Sequence, residues 1–154
     1  MGRSTKTGHT FRMIVIYVAK SASLQTWASD VGLTKNIYKL GVSEEPAAKA
    51  VAALNAARHA GRTDWTLVKA QDAADADEDA ALSRLGRKEI RVDPTYYAQL
   101  KGAGDIFKVK LANAENHFII ESALAGRERK AKKVSTAEIG TYLIRNALAG
   151  GGER

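Results

Sequence analysis

A mixed α/β fold is predicted by three features of this 154-residue sequence. Met13–Ala19 (MIVIYVA) is a β-rich apolar run, and Asn36–Val42 (NIYKLGV) alternates as a strand does. Helix-start signals then stand at Ser43, Asp75 and Ser135, each ahead of apolar residues at helical spacing. The length suits one domain, which can bury roughly two-thirds of its unfolded surface without covalent staples.

Residues 1–10 are polar and are expected to form a loose tail. Arg12–Val18 carries the β-branched and aromatic types that fit a largely buried strand. Lys20–Lys35 reads as a long connection with a helical turn near Leu24–Trp27. In Asn36–Val42 the period of two puts Ile37, Lys39 and Gly41 on one face and Tyr38, Leu40 and Val42 on the other. Ser43 is suited to cap a helix whose first turn holds Glu44, Glu45 and Pro46, with the acids facing the positive end of the helix dipole. That helix is expected to run to about Ala60 and stop at Gly61, with Ala47, Val51 and Leu54 turned inward.

Asp64–Lys69 is a third strand, and Asp75 with Glu78 has capping-box spacing ahead of Ala81, Leu82 and Leu85. Glu89–Val92 is a short strand, and Asp93-Pro94 opens a helical turn through Leu100. Asp105–Lys110 sets Ile106, Lys108 and Lys110 against Phe107 and Val109, the pattern of a strand with one wet face. Leu111–Gly126 is a helix expected to bury Leu111, Ala114, Phe118 and part of Ile119–Leu124. Ser135 and Glu138 form a second capping pair, ahead of an apolar stripe of Ile139, Tyr142, Leu143 and Ala147. The closing GGGER is expected to be loose.

Charge is the main global clue. The net charge is +7 and the pI is near 9.7. Asp72, Asp75, Asp77, Glu78 and Asp79 gather five negative charges in one stretch, leaving +12 on the remainder once they are set against the net value. Arg127, Arg129, Lys130, Lys132 and Lys133 form the densest basic run. Such an excess favours polyanionic partners, because each phosphate neutralised releases counterions. A solvated basic surface is the competing reading.

Several chemistries are excluded or unsupported. Without cysteine there are no disulfides and no thiolate metal sites. His9, His59 and His117 are scattered, without the spacing of a zinc site. Neither a phosphate-binding glycine loop nor a nucleophile elbow is present. The longest apolar run is too short to span a bilayer, and the N-terminal charges are not followed by an apolar core. A cytoplasmic protein with no membrane partner is therefore expected.

The order Ile16-Tyr17-Val18, then Tyr38-Lys39-Leu40-Gly41, then Pro46 and a helix resembles the GIY-YIG nuclease superfamily in a divergent form. The resemblance covers residues 11–110 and implies a small, mostly antiparallel sheet with flanking helices. Residues 111–149 would then be a C-terminal helical extension packed on that core, with 1–10 and 150–154 as flexible tails. It also implies a metal-dependent endonuclease, or a degenerate relative of one that binds nucleic acid, DNA more than RNA. Tyr17 and Tyr38 would flank the scissile phosphate, and Lys49 falls where the family has an arginine. Glu78 would hold Mg²⁺ or Mn²⁺, with Glu89 a poorer match. Phosphodiester hydrolysis needs such groups, to activate water and to neutralise the phosphate oxygens.

Lysine keeps the charge of arginine but loses its planar fork, and the first motif lacks its leading glycine. Lys39, Arg58, Arg127, Arg129, Lys130, Lys132 and Lys133 are the expected nucleic-acid contacts. Tyrosine is also a favoured strand residue, so Tyr17 and Tyr38 could serve packing alone. A second functional reading is a non-catalytic module that docks a protein partner through the apolar stripe of its C-terminal helix.

Overall fold

The computed structural model describes residues 14–127 and 133–148. The expected tails and the centre of the basic run, including Arg129, Lys130 and Lys132, lie outside the described residues. The elements are β1 (Val15–Ser21), α1 (Ala22–Asp30), β2 (Ile37–Ser43), α2 (Ala47–Ala56), β3 (Trp65–Asp72), α3 (Glu78–Leu85), β4 (Ile90–Arg91), β5 (Ile106–Lys108), α4 (Leu111–Leu124) and α5 (Thr136–Leu148). Single 3₁₀ turns lie at His59–Gly61 and Ala98–Leu100.

The five strands form one sheet in the order β3-β1-β2-β5-β4, and every ladder is antiparallel. The fold is therefore α+β, as the sequence predicts. β1 and β2 pair with Tyr17 opposite Gly41 and Val18 opposite Leu40. Helices cover both faces, which explains why β1 reads as a continuous apolar run rather than an alternating one. On one face Ile16, Val18, Tyr38, Leu40 and Phe107 pack with α3, α4 and α5. On the other, Tyr17, Ala19, Ile37 and Ile106 pack with α1, α2 and Trp65. Ile106 and Phe107 point to opposite faces and are both fully buried, so the expected wet face is lost at Ile106 and kept only at Lys108 and Lys110.

Helix starts account for the other differences. Residues 20–35 are not a long connection. β1 extends to Ser21, whose hydroxyl caps α1 by accepting from the Leu24 amide at 3.1 Å. Asp64 ties that start to the head of β3, accepting from the Ser23 amide at 2.8 Å and from the Ser21 and Ser23 hydroxyls. Ser43 is the last residue of β2, and its hydroxyl accepts from the Glu45 amide in a local turn. α2 accordingly starts three residues later than expected, with Pro46 as its cap.

α2 also ends earlier, at Ala56, because Arg58 and Ala60 adopt left-handed backbone. The cap of α3 is Asp77 rather than Asp75, accepting from the Ala80 amide at 3.0 Å. Asp93 closes a turn onto the Thr95 amide, and only Ala98–Leu100 is helical beyond it. The expected α5 box is present: the Ser135 amide donates to Glu138 and the Glu138 amide to Ser135, at 3.0 and 3.1 Å.

α5 lies across β1 and β3 and packs against α3. Gly140 permits that approach, since a Cβ there would sit 2.7 Å from Cβ of Lys69 and 2.9 Å from Cγ1 of Val68. Ile139, Tyr142, Leu143, Ile144 and Ala147 are buried. Among the described residues, no helix is long and apolar enough to cross a membrane.

Candidate functional site

Tyr17 and Tyr38 do not share a pocket. They occupy neighbouring strands, but their positions differ in parity, so the pleat sends the two rings to opposite faces of the sheet. Both are buried, at 4% and 5% exposure. The expected pairing of two phenols over one phosphate is not formed.

The Tyr17 ring instead lies over Gly41, where a Cβ would come within 2.4 Å of its Cζ. Beside it stands Lys39, only 2% exposed, with Nζ 5.3 Å from the ring centroid. The ammonium makes an ion pair of 2.8 Å with Asp105 Oδ2 and donates to the Leu40 carbonyl at 3.2 Å. His59 Nε2 donates to the second oxygen, Asp105 Oδ1, at 2.9 Å. Arg58 and Ala60, the left-handed residues on either side of His59, turn the chain back after α2 and set the imidazole there. Trp65 closes the cluster by donating its indole N–H to the His59 carbonyl at 2.9 Å.

The electrostatics are those of a closed unit. Burial raises the pKa of the Tyr17 hydroxyl, and the charges of Asp105 and Glu78 add to that rise, while Lys39 opposes it. Burial alone would raise Asp105 too, but the hydrogen bond from His59 and the charge of Lys39 outweigh it and hold the carboxyl below its ordinary range. Lys39 was expected to contact nucleic acid, yet its charge is matched by Asp105 inside the protein. That correction follows from parity: the face holding Tyr17 is the buried α2 side.

The other expected site residues are dispersed. Lys49 is exposed on the outer side of α2, and its partner is Glu45 of the preceding turn, at 3.6 Å. Glu78 is exposed at the first turn of α3, close enough to act on Tyr17 through its charge. It supplies one carboxylate, and among the described residues no three His, Asp or Glu side chains gather into a metal site. A metal at Glu78 would have to draw its other ligands from elsewhere.

Glu89 is buried and committed, accepting from the Lys110 amide at 2.8 Å, the Asn113 amide group at 3.1 Å and the Tyr142 hydroxyl at 2.5 Å. Arg58 is not on a helix with Lys49 but sits in the turn beyond it, exposed. Arg127 follows α4 and is exposed.

A different group of cations does converge. In this antiparallel sheet the end of β1, the start of β2, the end of β5 and the start of β4 meet at one edge. Lys20, Lys35 and Lys133 line one hollow there, of about 340 Å³. Lys88, Lys108 and Lys110 line a second. The two hollows share Asn36 and Leu111, so the six lysines form one continuous edge. Of these, only Lys133 was singled out from the sequence. The others are scattered along the chain, and the signal that could have found them is their position at or just beyond strand ends that antiparallel pairing brings together.

The stripe of α5 is consumed by the core, so it offers no docking face. α4 is the helix that keeps apolar residues outside: Ile119, Ile120 and Leu124 are exposed, the last at 84%, where burial was expected. Comparison with protein-family models, curated proteins and solved structures finds no match to this chain.

Proposed function

We propose that this chain is a nucleic-acid-binding domain of nuclease-like architecture that holds a phosphate backbone along its lysine-lined sheet edge without cleaving it. The observation that carries the reading is the convergence of six lysines from five separate segments on one edge. Nuclease-like architecture is supported by the antiparallel pairing of the two tyrosine-bearing strands, with Tyr17 resting on Gly41 and α2 following β2. Binding without hydrolysis is supported by the dispersal of the expected reactive groups. The phenols face opposite ways, Lys39 is neutralised by Asp105, and Lys49 points to solvent.

The test is a salt titration of binding to short single-stranded and duplex DNA, with RNA strands alongside. The logarithm of affinity should fall linearly with the logarithm of salt, by about 0.7 per phosphate contact on single strands and about 0.9 on duplex DNA. Lys108→Ala and Lys88→Ala should each lower the slope by about one contact. Affinity that is absent at low salt, or flat with salt, would reject the proposal. Plasmid incubated with Mg²⁺ or Mn²⁺ should remain intact. Nicking that disappears in Tyr17→Phe and Glu78→Ala would instead restore the endonuclease reading.

The alternative of a protein-interaction module working through α5 loses its motivation, because the apolar stripe of that helix already faces β1, β3 and α3.

A further inference from the structure

The two hollows on the lysine edge differ in their lining. The second is a lysine-rimmed patch around Val109 and Leu111. The first is a cleft between the α1 end of the sheet and the starts of α4 and α5, and it adds neutral donors to its three lysines. Tyr38 forms part of its wall, with a buried ring, and Gln25 lines the cleft with it. Gln25 is itself held in place, donating to the Ile37 carbonyl at 3.3 Å. Asn36 lies at the seam, its backbone carbonyl fixed by the Val109 amide at 2.8 Å. Tyr38 thus lines a cleft, though not one shared with Tyr17 as its motif implied.

We infer that this cleft takes a terminal phosphate monoester of a nucleic-acid strand, with Lys20, Lys35 and Lys133 around the phosphate and Gln25 and Asn36 beside the attached sugar. Two arguments lead to that ligand. A volume of about 340 Å³ is at the small end for ligand pockets, suited to one nucleotide rather than to a length of strand. Among the described residues of the lining, three cations stand against one acid, Glu115, which also exceeds what one internal phosphodiester requires. A monoester carries about −1.5 to −2 at neutral pH, and it is the phosphate that matches this excess.

The inference rests on the nucleic-acid reading above, and its test separates the two. Fluorescence anisotropy would compare one single-stranded DNA sequence ending in a 5′-hydroxyl, a 5′-phosphate or a 3′-phosphate. Three exposed ion pairs of ordinary strength correspond to roughly five- to tenfold tighter binding of a phosphorylated strand. Whichever phosphorylated strand shows the preference identifies the end that is read. Lys35→Glu, on an exposed side chain, should reduce the ratio to about one, whereas Lys108→Ala should weaken all strands alike. Equal affinity for all three strands would overturn the inference while leaving backbone binding standing. So would a preference that survives in both Lys35→Glu and Lys133→Ala. Failure of every strand to bind would overturn the broader reading and this one with it.

Discussion

Asp105→Asn should be among the most damaging single substitutions in this protein, although it removes no apolar surface. Lys39 is 2% exposed, and its ammonium has Asp105 at 2.8 Å, the Leu40 carbonyl at 3.2 Å and the face of Tyr17. With asparagine the shape is retained, but a buried cation is left with dipoles only. Breaking one half of a buried ion pair costs about 3–5 kcal/mol. For a chain of this size that corresponds to a fall in Tm of about 6–20 °C.

The assay is urea denaturation at neutral pH followed by fluorescence, for which buried Trp65 beside His59 is a suitable reporter. Lys39→Met should be similarly harmful, since it strands the carboxylate. The double variant Lys39→Met with Asp105→Asn should recover at least about 2 kcal/mol relative to the sum of the single effects. A loss below about 1 kcal/mol in Asp105→Asn, or a coupling near zero, would refute the view that these charges form a closed pair.

Other consequences can be checked in the same way. Because the folded pKa of Asp105 is depressed, its contribution is complete above the unfolded value of about 3.9 and is lost as pH falls through the folded one. The acid limb of a stability–pH curve should therefore flatten in Asp105→Asn. Gly140→Ala should destabilise by about 1–3 kcal/mol by thermal or urea unfolding, despite the better helix propensity of alanine, because the new methyl meets β3 at Lys69 and Val68. Tyr142→Phe should cost about 1–2 kcal/mol, as Glu89 keeps two of its three donors. In a spectrophotometric phenol titration Tyr142 should ionise well after exposed tyrosines, because burial and the Glu89 carboxylate both raise its pKa. Arg58→Gly should stabilise by about 0.5–1 kcal/mol, since a left-handed residue with φ of +54° is relieved of its Cβ clash.

What could be read in advance was local and periodic. The buried strand around Tyr17, the face alternation of Ile37–Val42, the inner faces of α2 and α3, and the Ser135–Glu138 box all depend on residues within a turn or two of one another. Such features act over a few ångströms along the chain, so the order of residues contains them. α1 was read as no more than a helical turn near Leu24–Trp27 because its buried residues are only Leu24 and Ala28, and because part of its support comes from Asp64, more than thirty residues away. The start of α2 was misplaced because a serine oxygen can close a turn as readily as it caps a helix.

The site was decided by pairing, not by order. Two tyrosines in neighbouring strands could have met or been divided. The register of β1 on β2 placed Tyr17 over Gly41 and sent Tyr38 through to the other layer. Asp105 chose the fate of Lys39 from sixty-six positions along the chain, turning an apparent phosphate contact into half of an internal ion pair. The lysine edge exists only because antiparallel strands bring their opposite termini together. Charge composition determined that the protein would be cationic. Where that charge could act on another molecule was set by long-range contacts, which cancel some cations in the interior and collect others at a single border.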